Sequence, residues 1–98
     1  MALEPDVLDV LRGIVDPEIG INIVDLGLVF RAERANDAID VDMTMTTRAC
    51  PLGEMILEEA RAALSQRFPG VRHTVRLVWD PAWTPDMMTL QGRESLAM

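Results

Sequence analysis

The fold follows from one stretch, Ile39-Asp40-Val41-Asp42-Met43-Thr44-Met45-Thr46 (residues 39–46), in which apolar and polar side chains alternate without a break. A period of two residues is typical of a β-strand with one buried and one exposed face. Asn36-Asp37 before the stretch indicates a hairpin turn, and Pro51 after it opens a helical pattern. The stretch is therefore predicted to be a strand that a tight hairpin joins to the preceding strand and a helix joins to the following one.

The residues before the hairpin predict a helix and then a strand. Apolar residues recur at helical spacing near the start of the chain, and Pro5 and Gly13 suit the first turn and the end of a helix over roughly residues 4–13. After the Asp16-Pro17-Glu18 turn, an apolar stretch runs from Ile21 to Phe30 and continues to Arg34. Its second half is predicted to be the first strand.

The residues after Pro51 predict a second helix and a third strand. The helix ends at Pro69-Gly70, and residues 71–79 alternate again. Thr84-Pro85 resembles a helix start, but Gly92 weakens any helix in the tail. The apolar stripe predicted for the second helix contains Leu52, Met55, Ile56, Ala60, Ala63 and Leu64, together with Glu59.

The element order is therefore α-β-β-α-β, which predicts an α/β (α+β) two-layer sandwich with helices on one face of a three-stranded mixed sheet. The hairpin makes the first two strands antiparallel, and the helical crossover makes the second and third parallel. Three loops then meet at one end of the sheet: residues 16–25, 47–51 and 80–85. At 98 residues, the chain 1–98 is expected to be a single domain.

Composition and charge exclude several classes of function. The formal net charge is −7 and the sequence contains no lysine, so the clustered positive charge that binds nucleic acid or an anionic membrane is missing. No apolar run approaches the ~20 residues of a spanning helix, and the N-terminus lacks the basic start of a secretory signal. We expect a cytoplasmic protein with no nucleic-acid or membrane partner.

The chemistry centres on Cys50, the sole cysteine. It lies between the end of a strand and the first turn of a helix, where unpaired backbone N–H groups and the helix dipole favour the thiolate. A single cysteine cannot form an internal disulfide. Cys50 is therefore an inert residue at a helix cap, a reactive thiol, or a group shared between chains.

Three acids lie in the first loop. Asp16 and Glu18 flank a proline, which makes turn formation the better interpretation, although both could serve as oxygen ligands beside a thiolate. Asp25 interrupts an apolar run next to Gly27, so we expect it near the sheet edge with a partner or in solvent.

The third loop carries aromatic and methionine side chains. Trp79 is predicted to lie in the core, whereas Trp83 either covers the end of the sheet or forms a contact surface. Met87 and Met88 are expected to pack into the core or a dimer seam.

His73 argues against a thiol enzyme. A Cys-His pair must lie within hydrogen-bonding reach, but His73 begins the third strand while Cys50 follows the end of the second. In a parallel arrangement the two lie at opposite ends of the sheet. There is also no phosphate-binding glycine loop, paired CxxC or His-Glu-His helix motif, so we expect no enzymatic activity.

Three segments together resemble the SufT/PaaD-like family of iron-sulfur cluster assembly proteins. They are Asp16-Pro17-Glu18 continuing to Val29, Thr46 followed four residues later by Cys50-Pro51, and Asp80-Pro81-Ala82-Trp83-Thr84-Pro85. The chain lacks the P-loop and the cysteine-rich extension of other members and so resembles the stand-alone bacterial form. The resemblance implies an iron-sulfur assembly-type fold and a site composed of Cys50, Asp16, Glu18 and Asp25, with Asn22, Thr46, Pro51 and Trp83 in support.

The resemblance also implies a function. Cys50 would contact iron, a cluster or a client protein during iron-sulfur cluster maturation, with scaffold or client apoproteins as partners. A cluster takes about four thiolate or equivalent ligands, so an iron-sulfur cluster or iron would be shared between chains of a homo-oligomer or with another molecule. The alternative is a metal-free interaction adaptor in a cluster-assembly or oxygenase-maturation complex.

Overall fold

The computed structural model describes residues 3–46 and 52–96. Its sheet has the strand order β1-β2-β3; β1 and β2 are antiparallel, whereas β2 and β3 are parallel. Both predicted strand relations and the α-β-β-α-β order are confirmed, and a short helix follows at the C-terminal end. The elements are α1 (Pro5–Leu11), β1 (Val29–Arg34), β2 (Ala38–Met43), α2 (Gly53–Arg67), β3 (Arg72–Leu77) and α3 (Leu90–Leu96).

The central strand β2 shows the predicted alternation only as far as Met43, where the strand ends, and Thr44, predicted on the polar face, is fully buried. Ile39, Val41 and Met43 are fully buried, while the aspartates between them are only half-buried. The buried side chains face the helical layer, where α1 packs against α2 and β1, and α2 packs against β3. The core therefore lies between the sheet and the two helices.

The apolar stripe predicted for α2 is wrong at three positions, one of which is Glu59, an exposed residue. Met55 is 44% exposed, whereas Leu57, which the stripe left out, is buried. The buried face runs along Gly53, Ile56, Ala60 and Leu64, so Met55 lies on its flank. The helix starts so close to the sheet that a Cβ built on Gly53 would lie 3.6 Å from the Met45 side chain.

The C-terminal helix α3 forms although it contains Gly92, which the sequence analysis took as weakening a helix there. A Cβ at this position would lie 2.5 Å from the Asp25 carbonyl oxygen. Only glycine at position 92 lets α3 approach the turn that contains Asp25 so closely. That packing outweighs the intrinsic cost of a glycine within a helix, about 1 kcal/mol.

The sheet face away from the helices carries a network of charges. Arg76 contacts Asp42 at 2.8 Å, and Arg31 lies 3.5 Å from the same carboxylate and donates a 2.7 Å hydrogen bond to Glu33. That hydrogen bond is the main cause that lowers the pKa of Glu33 and raises that of Arg31.

Among the described helices, none has the length and apolar character needed to cross a membrane.

Candidate functional site

One end of the sheet gathers the segments that carry the candidate residues. Val29 at the start of β1 pairs with Met43 at the end of β2, and Met43 pairs with Leu77 at the end of β3. The loop of residues 16–25 enters the sheet at this end, and the segment after β3 leaves it here. The segment that contains Cys50 is bracketed by Thr46 and by the start of α2, which packs against Met45 and Leu77.

Asp16 shapes the first loop by hydrogen bonding to the backbone. Its side chain is 2% exposed, and Oδ1 accepts the N–H of Glu18 at 2.9 Å and that of Ile19 at 3.4 Å. This arrangement is an Asx turn, in which the carboxylate replaces a backbone acceptor. Asp16 is therefore a turn former, as expected, while Glu18 projects into solvent.

Asp25 links the first loop to the C-terminal segment. One carboxylate oxygen accepts a 2.8 Å hydrogen bond from the Asn22 amide, and the other accepts a 3.0 Å bond from the Thr89 hydroxyl. The Asn22 side-chain oxygen accepts the Asp25 N–H in return, at 2.9 Å. We call these three residues the Asp25 cluster. With Asp25 only 7% exposed, both of its oxygens are occupied by the protein itself.

Thr89 extends the Asp25 cluster into α3. Its N–H donates to the Asp25 carbonyl at 2.9 Å, and its hydroxyl accepts the Gly92 N–H at 3.0 Å, as an N-cap residue does. The sequence analysis missed Thr89, although a threonine directly before a helix is the signal that reveals an N-cap.

Trp83 and the methionines fix the remainder of this segment. The Trp83 indole donates a 2.6 Å hydrogen bond to the Leu26 carbonyl, and its ring packs against the core, so it covers the end of the sheet. Met88 is buried in the core, as expected, and Trp79 packs against the core while remaining half-buried. The backbone of Met87 passes so close to Gly27 that no side chain would fit there.

Cys50 and Pro51 lie outside the described residues, so their placement stays a prediction. Thr46 is half-buried at the edge of the described range. His73 pairs with Ile39 at the far end of β3, four strand residues from Leu77, which is ~13 Å at ~3.3 Å per residue. The structure thus separates His73 from the end where the loops meet.

Within residues 3–46 and 52–96, no three His, Cys, Asp or Glu side chains come together in a group that could hold a metal ion. Asp16 and Asp25 serve separate hydrogen-bond networks in the loop. The described acids therefore do not form a ligand set by themselves.

The sequence matches the family model described as iron-sulfur cluster assembly protein over residues 4–76. The chain belongs to this family. The match includes the first loop, the segment around Cys50, helices α1 and α2, strands β1 and β2, and β3 up to Arg76, but it stops before Trp83 and Thr89. The iron-sulfur assembly family therefore accounts for the sheet and its helical layer.

Individual relatives extend the similarity over the rest of the chain. The Fe-S protein maturation auxiliary factor YitW of Bacillus subtilis is 37% identical, covering 99% of this chain and 96% of that protein. The factor SufT of Staphylococcus aureus is 38% identical, covering 87% of this chain and 98% of that protein. A solved DUF59 domain from Bacillus anthracis superposes with a TM-score of 0.90 at 32% identity, covering 97% of this chain and 92% of that one.

A groove lies beside the Asp25 cluster on the β1 side of the sheet. It encloses about 720 Å³ and its lining is mainly apolar. Such a volume lies within the range of about 300–1,000 Å³ that ligand pockets occupy. Sequence reasoning did not find it, because its walls come from distant segments. The lining includes Val24, Gly27, Val29, Phe30, Pro81 and Met87.

Proposed function

We propose that this protein is an iron-sulfur maturation factor that assists delivery of iron or a cluster to client apoproteins through Cys50. The observation that carries the proposal is similarity over nearly the whole length of both chains to the maturation auxiliary factor of Bacillus subtilis. The protein would act as a binding and transfer factor in the cytoplasm, not as an enzyme. Its partners would be iron-sulfur scaffolds and client apoproteins.

The position of the Cys50 segment supports this role. The segment connects the end of β2 to Gly53, the first residue of α2, at the end of the sheet where the loops meet. Backbone N–H groups in the first turn of a helix have no intrahelical acceptor and favour a nearby negative charge. A thiolate is the form of cysteine that binds iron and attacks electrophiles.

The first loop has few carboxylates that are free to act as further ligands for iron or a cluster. Asp16 and Asp25 are engaged in hydrogen bonds within the chain, and Glu18 is the acid of this loop that faces solvent. One cysteine with one exposed glutamate falls short of the about four ligands of a cluster. We therefore propose that iron or a cluster is shared, either between copies in a homo-oligomer or with a client.

The proposed function can be tested in Bacillus subtilis cells that lack the similar maturation factor. Expression of this chain is expected to restore the activities of iron-sulfur enzymes, whereas the Cys50→Ser variant at equal abundance is not. A Met55→Ser variant is the matched control, because it changes an exposed side chain of the following helix. Equal rescue by the wild-type chain and the Cys50→Ser variant would refute the role of Cys50.

The apolar groove favours a second candidate, a metal-free adaptor that binds clients or assembly partners. Met87 lies on its wall and is half-buried. Under this alternative, Cys50→Ser leaves partner co-purification intact, and Met87→Asp removes it. Loss of every partner from Cys50→Ser alone would exclude the adaptor.

A further inference from the structure

The outer side of β3 is an open edge of the sheet in the described part of the chain. The strand order is β1-β2-β3, and β3 packs only against β2 and α2 among the named elements. β3 has six residues, Arg72–Leu77, which corresponds to ~20 Å at ~3.3 Å per residue. An edge of this length can template the addition of another strand.

The hydrogen bonds show which backbone groups face outward. Arg72 donates its N–H to the Asp37 carbonyl at 3.0 Å, and Val78 donates to the Met43 carbonyl at 2.8 Å. Because bonding direction alternates along a strand, the even-numbered residues of β3 bond to β2 and the odd-numbered ones point outward. His73, Val75 and Leu77 therefore present their N–H and C=O groups at the edge.

One contact confirms this assignment independently. The Arg61 guanidinium, which extends from α2, donates a 3.2 Å hydrogen bond to the Val75 carbonyl. That carbonyl must therefore point away from β2. Arg61 also places a positive charge directly at the edge, and among the described residues its ion pair is with the exposed Glu58 carboxylate, at 2.9 Å.

The side chains along the edge are basic in an otherwise acidic protein. Arg72 and Arg76 lie on the open face with side chains 82% and 58% exposed, separated by Thr74. β3 contains no acidic residue, although the chain as a whole has a net charge of −7. Arg76 is paired with Asp42 at 2.8 Å, whereas Arg72 has a weak partner, since its 3.9 Å contact is with the equally exposed Asp37.

We propose that the outer edge of β3 binds an extended acidic segment of a partner protein, which adds to the sheet as a further strand. Arg72 and Arg76 are four residues apart on one face, so two Asp or Glu residues four positions apart in the segment would oppose them. Opposite charges across neighbouring strands stabilise a sheet, and like charges destabilise it. A second copy of β3 would bring arginines against arginines, so the edge selects an acidic partner over itself.

The test uses the full-length protein and a synthetic peptide, TEVTVEVT, in which two glutamates lie four residues apart. Amide NMR is expected to show shifted and exchange-protected N–H signals at His73, Val75 and Leu77. The N–H groups of Thr74 and Arg76 already bond to β2 and serve as internal controls. A peptide with N-methyl groups at alternate positions should not bind, because it cannot form the new backbone hydrogen bonds.

Charge-exchange variants distinguish peptide binding at the β3 edge from a non-specific effect of the protein's net charge. Arg72→Glu together with Arg76→Glu is expected to weaken TEVTVEVT binding by about tenfold or more, since two cross-strand attractions become repulsions. The same variant should gain affinity for the lysine peptide TKVTVKVT. Arg12→Glu together with Arg93→Glu is the matched control, because it makes the same change in charge at the residue after α1 and within α3 and should leave binding unchanged.

Three results would overturn the proposal. The first is absence of binding at millimolar peptide, and the second is equal affinity of the wild-type protein for the glutamate and lysine peptides. The third is protection of the His73, Val75 and Leu77 amides that rises with protein concentration without any peptide, which would show that the edge pairs with a second copy.

Discussion

Replacement of Asp25 should destabilise the protein strongly, because its carboxylate joins two segments that are distant in sequence. Asp25→Ala removes the hydrogen bonds to Asn22, at 2.8 Å, and to Thr89, at 3.0 Å. Hydrogen bonds to charged groups contribute about 1.5–3 kcal/mol each to stability, and Asn22 and Thr89 would be left without their hydrogen-bond acceptor and only partly solvated. Allowing for relaxation, we expect a loss of about 3 kcal/mol in the free energy of unfolding.

A double-mutant cycle between Asp25 and Thr89 isolates the link itself. Thr89→Val removes the hydroxyl that donates to Asp25 and that accepts the Gly92 N–H at 3.0 Å, and should cost about 1–2 kcal/mol. Asp25→Ala is the other single variant of the cycle, because it removes Oδ1, the atom that accepts the hydrogen bond from the Thr89 hydroxyl. Because both changes break the same bond, we expect a coupling energy of about 1 kcal/mol.

Urea unfolding followed by tryptophan fluorescence and by far-ultraviolet circular dichroism measures these differences. Thr89→Ser is the control that keeps the hydroxyl, and it should lie within about 0.5 kcal/mol of the wild type. A loss of 3 kcal/mol in a chain of this size corresponds to a fall in Tm of about 12–24 °C. Strict additivity of Asp25→Ala and Thr89→Val, or a cost below about 1 kcal/mol for Asp25→Ala, would refute the assigned role of the Asp25 cluster.

Three further predictions concern stability. Gly27→Ala should lower the free energy of unfolding by more than about 2 kcal/mol, because the new Cβ would overlap the Met87 carbonyl and because Gly27 has a φ of +79°. Unchanged thermal unfolding would contradict this. Trp83→Phe should cost about 1 kcal/mol through loss of the hydrogen bond to the Leu26 carbonyl, measured by circular dichroism because fluorescence changes with the indole. Ile56→Ala should cost about 2–5 kcal/mol and Met55→Ala less than about 1 kcal/mol, because only Ile56 is fully buried; similar urea midpoints for the two would show that the buried face of α2 is misplaced.

The sheet was predictable from sequence because its signals are local. Residues 39–46 alternate with a period of two, and Asn36-Asp37 and Pro69-Gly70 mark the turns on either side. Strand directions then follow from the connections, because a tight hairpin requires antiparallel strands and a helical crossover favours parallel ones. The register of β2 and β3, in which Ala38 lies opposite Arg72 and Met43 opposite Leu77, could be determined only from the structure.

The packing of the C-terminal segment was not predictable, because it depends on contacts between residues far apart in sequence. Gly92 weakens a helix considered alone, and only its contact with the Asp25 turn explains why α3 forms there. Asp25 was expected to have a partner or to face solvent, and the sequence could not identify Thr89 as a partner because it lies 64 residues away. Met55, which lies on the flank of the buried face, was predicted to be part of it, because a broad stripe of apolar residues does not show which of them lies at the centre of the buried face.

Of the three segments predicted to meet at the candidate site, the sequence correctly brought together the two that the structure describes. The structure confirms that the first loop and the segment after β3 meet, through the hydrogen bond from Trp83 to Leu26. It reassigns the described acids, since Asp16 and Asp25 hold the backbone and the C-terminal segment in place. Neither role is visible in composition or spacing, because an aspartate in a turn and an aspartate in a ligand set have the same sequence signature.

The central claim is that Cys50 engages iron or a cluster, and iron and sulfide analysis of protein purified without oxygen tests it most directly. We expect the wild-type chain to carry iron and sulfide and, after anaerobic reconstitution, to show visible absorption bands, and we expect the Cys50→Ser variant to show neither property. The variant must first give the same urea midpoint as the wild type, so that loss of folding is not mistaken for loss of a ligand. Equal iron and sulfide content in the two proteins, including none in either, would contradict the claim.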